Sequence, residues 1–171
     1  HVYANDGQHN CDAFNYARLV ATIGEVATLL DTSPDRLTLH NCEFGVNVLL
    51  DTFPSRFMDN VLNYWYNLPE IRYFGGKGYL KQWEQQNYIL KVYDKKRQCR
   101  LDTNILRIEV KAKKMKHLAG VEVRTLADLL DITKLRRLGV ELCKTYEGLI
   151  IGEALDIVPM SRPERRIYEQ G

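Results

Sequence analysis

YILKVYDKKRQCRLDTNILRIEVKAKKMK, residues 88–116, is the stretch around which the rest of the chain is read. In its first arm Leu90, Val92 and Asp94 alternate with Ile89, Lys91, Tyr93 and Lys95. In its second arm Leu106, Ile108 and Val110 alternate with Arg107, Glu109 and Lys111. A period of two is the signature of a strand, and the polar run between the arms reads as a turn, so the stretch predicts a hairpin. Successive side chains of a strand point to opposite faces, which puts Tyr93 with Lys95 on one arm and Arg107, Glu109 and Lys111 together on the other. If the arms pair with those faces in common, one surface carries a phenol, a carboxylate and several cations. Such a set suits phosphodiester chemistry, with a tyrosine oxygen as nucleophile, a carboxylate to hold a divalent metal and Lys or Arg for the developing charge. An ordinary solvated sheet face carries the same residue types, so the spacing by itself leaves both readings open.

The chain has 171 residues, of which 45% are hydrophobic, enough for one domain with a core across 1–171. Its first residue is His1 rather than Met, from which we expect an N-terminally trimmed fragment. The formal charge of +2 is small. A basic surface must therefore come from clustering, and Lys95, Lys96, Arg97, Arg100, Arg107, Lys111, Lys113, Lys114 and Lys116 fall in one segment whose acids are Asp102 and Glu109, apart from Asp94 just before it. A polyanion is the natural partner of such a face. Cys11, Cys42, Cys99 and Cys143 form no CxxC pair, which argues against a zinc site and, in a domain of this size, for free thiols in a reducing cytoplasm. No apolar run reaches membrane-spanning length and no secretory signal pattern opens the chain, so neither a membrane partner nor export is expected.

Taken in order, the chain predicts a helix capped at Asp12 and running to about Leu30, with Tyr16, Leu19, Val20, Ile23, Val26 and Leu30 on one stripe. A turn follows at DTSPDR. A long strand is expected over Leu37–Leu50, with Glu43, Gly45 and Asn47 on one face and Gly45 marking a bulge or a close approach. Pro54 and Ser55 open a second helix to about Tyr66, with Phe57, Val61, Leu62 and Trp65 inward. IRYFGGKGYLKQW reads as two strands around a glycine turn. It lacks the Ser or Thr after the lysine, and the helix behind it, that a P-loop requires. TLADLLDI and TKLRRLGVELCKTYEGLIIGEAL have helical spacing, with Tyr146 in the apolar stripe. The fold class expected is α+β, a mostly antiparallel central sheet with helices packed on one face.

LHNCEFGVNV (39–48), GGKG (75–78), LKVYDKK (90–96), LRIEVK (106–111) and TLADLLD (125–131) occur in an order that resembles the rolling-circle replication initiators of single-stranded DNA phages and plasmids, a divergent branch of the HUH-type endonucleases that includes the filamentous-phage nicking protein. HVYANDGQHN (1–10) is similar to the segment before the first helix of that family. The resemblance covers most of the chain and implies an HUH-endonuclease-like sheet. It further implies a site-specific, metal-dependent enzyme that nicks and rejoins DNA through a 5′-phosphotyrosyl intermediate. Residue by residue it makes Tyr93 the nucleophile, and it makes Lys95 and Arg107 the cations at the phosphate. Glu43 and Glu109 become ligands of Mg²⁺ or Mn²⁺, with His1 the outside candidate for a third. The chain departs from the pattern in lacking the family's two-histidine metal motif, since His40, His9 and His117 are isolated.

Under this resemblance the partner is single-stranded or extruded origin DNA, tracked by Lys96, Arg97, Arg100, Lys111, Lys113 and Lys114, with host replication proteins as further partners in a bacterial cytoplasm. Two other classes stay open. A DNA-binding module without catalysis would use the same basic sheet, and a hydrolytic metal nuclease would use the carboxylates with water as the attacking group.

Overall fold

The computed structural model describes residues 14–76 and 78–152. Five strands form an antiparallel sheet: β1 (Cys42–Leu49), β3 (Glu70–Tyr73), β4 (Tyr79–Glu84), β5 (Tyr88–Asp94) and β6 (Ile105–Ala112). Their order is β1-β6-β5-β4-β3, a meander of three hairpins with β1 added outside β6. The arms of the 88–116 stretch pair as expected, Tyr93 opposite Arg107 and Lys91 opposite Glu109. One face is apolar because the even residues of β5 and β6 include Leu90, Val92, Leu106, Ile108 and Val110, buried in one cluster with Trp83 of β4. Helix α2 (Pro54–Asn60) and helix α4 (Ile132–Tyr146) cover that face through Met58 and Leu142. The expected α+β class, an antiparallel sheet with packed helices, is what forms.

Local spacing misplaced several boundaries. The helix opening at Pro54 stops at Asn60, and Val61–Tyr64 become β2, paired with β7 (Leu149–Ile151) in a second small sheet. Val61 and Tyr64 are buried, whereas Leu62 and Trp65, expected inward, are exposed. A helix through this segment loses to strand pairing because its partner lies some 90 residues away, where no local pattern reveals it. The lysine of β4 contributes as well: Lys81 Nζ donates to the carbonyls of Met58 and Val61 at 2.7 Å each, satisfying acceptors that the end of α2 would otherwise leave without partners. The last helix likewise ends at Tyr146 instead of running on, because 149–151 are claimed by β2, and Gly148 lies against the rings of Tyr64 and Trp65, where a Cβ would approach to 2.6 Å. Tyr146 is half-exposed rather than core.

Helix α1 spans Tyr16–Leu29 with Asn15 as its cap, and the cap expected at Asp12 lies outside the described residues. Of its expected stripe Ile23 is buried, while Tyr16, Val20 and Leu30 are exposed. The expected strand over Leu37–Leu50 is regular only from Cys42 to Leu49, its start instead exchanging main-chain bonds with Arg124 and Leu126. TLADLLDI forms a 3-10 turn at Ala127–Leu130 rather than a helix. The polar run between the central arms contains a short helix, α3 (Lys95–Cys99), capped by the Asp94 carboxylate on the amide of Arg97. Cys99 is disulfide-bonded, which corrects the expectation of four free thiols, while Cys42 and Cys143 are free. Among the described residues no helix is long and apolar enough to cross a membrane.

Candidate active site on the polar face of the sheet

The odd residues of β1, β6 and β5 share the other face. Register places Glu43, Gly45 and Asn47 opposite Lys111, Glu109 and Arg107, and these opposite Ile89, Lys91 and Tyr93. Gly45 sits directly across from Glu109, and no bulge interrupts the pairing. A Cβ there would overlap the Ile108 carbonyl oxygen and come within 2.9 Å of the Glu109 Cα, so the close approach is by neighbouring backbone. The gap above this glycine opens the space between β5 and β1. Strands lie about 4.8 Å apart, so a lysine two strands from its partner can span the gap when nothing stands between them. Lys91 does so: its Nζ is 3.0 Å from Glu109 Oε1 and 3.2 Å from Glu43 Oε2.

Glu109 is the centre of the arrangement. Its Oε1 accepts from Lys91, and its Oε2 accepts from the Tyr93 hydroxyl at 3.3 Å and from Arg107 Nε at 3.4 Å. Arg107 also donates to Asn47 Oδ1 at 3.2 Å. Burial alone would raise the Glu109 carboxyl, but the hydrogen bond with Glu43 and the charges of Lys91 and Arg107 hold it below the usual carboxylate range. Glu43 moves the other way, raised by burial and by Glu109. Of the two carboxyls Glu43 is therefore the one that takes a proton more readily, and Glu109 the one that stays ionised to lower pH. Lys91 is raised, the pull of burial being outweighed by both carboxylates.

Tyr93 is 4% exposed, and burial, then the Glu109 charge, push its phenol above its ordinary range. Its hydroxyl nevertheless faces Glu109 on the polar side, so the three groups expected to converge do converge. Lys95 is placed differently from expectation. β5 ends at Asp94, so Lys95 opens α3, 2% exposed, with its ammonium 6.0 Å from the centre of the Tyr93 ring rather than in the strand beside the hydroxyl. Burial, then the Arg107 charge, depress it. The remaining cations do not form one track. Lys96, Arg97 and Arg100 lie in and just after α3, whereas Lys111, Lys113 and Lys114 lie at the far end of β6, roughly 20 Å along a strand rising about 3.4 Å per residue. Lys113 is already paired with Glu84 at 2.7 Å.

Lys91 and Asn47 take part in the site without having been singled out by function. The same alternation that selected Tyr93 also selects Lys91, so its face was legible; its reach over Gly45 was not. His1 lies outside the described residues. Among the described residues no three His, Cys, Asp or Glu side chains gather as a metal site. The facing oxygens of Glu43 and Glu109 nonetheless have the chemistry of a hard-cation pair, with Lys91 Nζ in the position between them. Comparison of the chain with protein-family models, with curated proteins and with solved structures gave no match.

Proposed function

We propose that the polar face is the catalytic surface of a DNA nicking and joining enzyme of the rolling-circle initiator kind, acting on single-stranded or extruded origin DNA. The observation that carries this reading is the hydrogen bond from Tyr93 to Glu109, with Arg107 on the same carboxylate and Glu43 beside it. With its phenol raised, Tyr93 is protonated at neutral pH, so attack requires the proton to leave during the step. Glu109, ionised and within reach, is the group to receive it. The tyrosine oxygen bonds to phosphorus and the bond from phosphorus to the 3′ oxygen breaks. The 3′ oxygen leaves as a hydroxyl by taking a proton from solvent, and a 5′-phosphotyrosyl link remains. Attack by a 3′ hydroxyl on that link reverses the step and rejoins the strand. Arg107 and Lys91 offset the negative charge that gathers on the phosphoryl oxygens.

Glu43 and Glu109 are the residues that would hold Mg²⁺ or Mn²⁺, which when bound supplies charge neutralisation at the phosphate. Lys91 must then yield its place between them. Lys91→Met is therefore expected to tighten Mn²⁺ binding, read by calorimetry, and unchanged or weaker binding would remove this carboxylate pair from the metal shell. A bacterial cytoplasm and host replication proteins belong to the same proposal.

The deciding experiment is incubation with single-stranded oligonucleotides from the parent replicon and Mn²⁺, followed by a denaturing gel. A protein-linked band is expected that Tyr93→Phe abolishes, and an undiminished band in that variant would reject Tyr93 as the nucleophile. Cleavage without a linked product would give the attack to water. One observation favours a second reading, a DNA-binding module without catalysis: Glu109 already accepts from three donors and is neutralised by two cations. That reading predicts salt-sensitive binding and no cleavage with any metal.

A further inference from the structure

The glycine turn, read from sequence as a plain hairpin connection, is packed against α3. Between them lies an open cleft of about 470 Å³ lined by Gly75, Gly76, Lys96, Arg97, Arg100 and Leu101. One wall is formed by Gly75 and Gly76. Gly75 and Gly76 hold left-handed backbone at φ 42° and 79°, and a Cβ on either would meet nothing within 4 Å. The other wall is cationic. At its closed side the turn touches α3, since a Cβ on Gly78 would lie 3.4 Å from Arg97 Cβ and Cδ.

Positive charge here is under-compensated. Lys96 Nζ donates to two neutral acceptors, the Asp102 carbonyl and Asn104 Oδ1, and so keeps its charge. Arg97 reaches Asp94 only at 3.8 Å. Arg100 is exposed and has no carboxylate partner among the described residues. Exposed aromatic rings flank the cations. Phe53 lies 5.2 Å from the Lys96 ammonium, and Tyr73, 78% exposed, precedes Phe74 and the glycines in sequence. Gly75 and Gly76 admit close approach, cations neutralise a phosphate, and open rings accept bases of any identity, which together describe a nucleotide of a single strand.

We infer that this cleft anchors a backbone phosphate of single-stranded nucleic acid, one that flanks the bond presented to Tyr93. Only Asp94 and Lys95 separate Tyr93 from Lys96, and Tyr93 pairs with Leu80, next to the Tyr79 that faces Tyr73 across the turn. The cleft thus lies at the same end of β5 as Tyr93. The position relative to a scissile bond rests on the function proposed above; the binding itself does not.

The test uses Tyr93→Phe protein, so that covalent chemistry plays no part, titrated by amide NMR with single-stranded oligodeoxythymidine and separately with inorganic phosphate at matched ionic strength. The oligonucleotide is expected to shift the amides of Gly75, Gly76, Arg97 and Arg100. Replacing Arg97 and Arg100 together by Ala is expected to weaken strand binding at least about tenfold and to reduce the salt slope by about one to two. Lys113→Ala with Lys114→Ala is expected to leave those amide shifts in place. Oligonucleotide shifts confined to other residues, or equal shifts with inorganic phosphate and no tighter binding of the strand, would overturn the inference. Wild-type protein that fails to nick the strand while these shifts persist in Tyr93→Phe protein overturns the proposed function alone.

Discussion

Two lysines on neighbouring strands, one buried and one partly buried, show how differently the two faces of the sheet treat a charge. Lys81 of β4 enters the apolar face, 8% exposed, and its ammonium meets only the carbonyls of Met58 and Val61. Lys91 of β5 enters the polar face and meets the carboxylates of Glu109 and Glu43. Burial depresses Lys81, with little opposing it beyond the charge of Asp59, whereas two carboxylates more than offset the burial of Lys91. The apolar face spends its one cation on ending a helix where a strand must begin. On the polar face Lys91 holds two acids beside a phenol. The core therefore lies on the first face, and the proposed site on the second.

Substitutions should separate the two faces, most strongly at the core. Trp83→Ala is expected to cost about 3–5 kcal/mol in denaturant unfolding, while Tyr93→Phe, which loses one hydroxyl bond, costs about 1 kcal/mol. Equal losses would erase the distinction between a face that stabilises the fold and a face that holds the proposed site. Lys91→Met leaves Glu43 and Glu109 without the cation between them. With Glu43 partly exposed the expected cost is about 2 kcal/mol, accompanied by a further rise of the Glu43 carboxyl in a carbon-detected NMR titration. Gly45→Ala sharpens the comparison differently, because its Cβ collides with the backbone of β6 and must push β1 away. A loss of about 1–3 kcal/mol is expected, together with weaker bonding of Lys91 to Glu43, which a crystal structure of the variant would reveal.

The smallest effect expected is in alkaline solution. The folded pKa of Lys81 lies below its unfolded value near 10.5, so the unfolded chain binds more protons in that window and stability rises with pH up to about 10.5. The folded pKa of Lys91 lies above the same value, so its contribution is present below about 10.5 and is lost as pH rises through the folded pKa. Unfolding measured against pH should lose the first trend in Lys81→Met and the second in Lys91→Met. A Lys81→Met profile identical to wild type would mean that the Lys81 charge is not buried.

The strands of the central meander were legible because a period of two survives in any sheet with one wet face: Leu90, Val92, Ile108 and Val110 announce the core, and Tyr93, Arg107 and Glu109 the opposite side. Glu43 was legible by the same rule on β1. The small second sheet was not, since Val61–Tyr64 fit a helical stripe until Leu149–Ile151 pair with them. Lys95 was misread because the alternation of β5 continues one residue past the point where the Asp94 carboxylate caps a helix. The glycine turn was read correctly as a turn, and its neighbour could not be read at all.

By itself, then, the sequence determined which residues share a face, because side-chain direction in a strand depends only on parity along the chain. The tertiary structure decided which faces meet. It set Gly45 opposite Glu109 so that Lys91 could cross to Glu43, ended α2 with a lysine from the sheet, and laid Gly75 and Gly76 against α3. Each of these depends on register or packing between segments far apart in the chain, and no local period encodes such contacts.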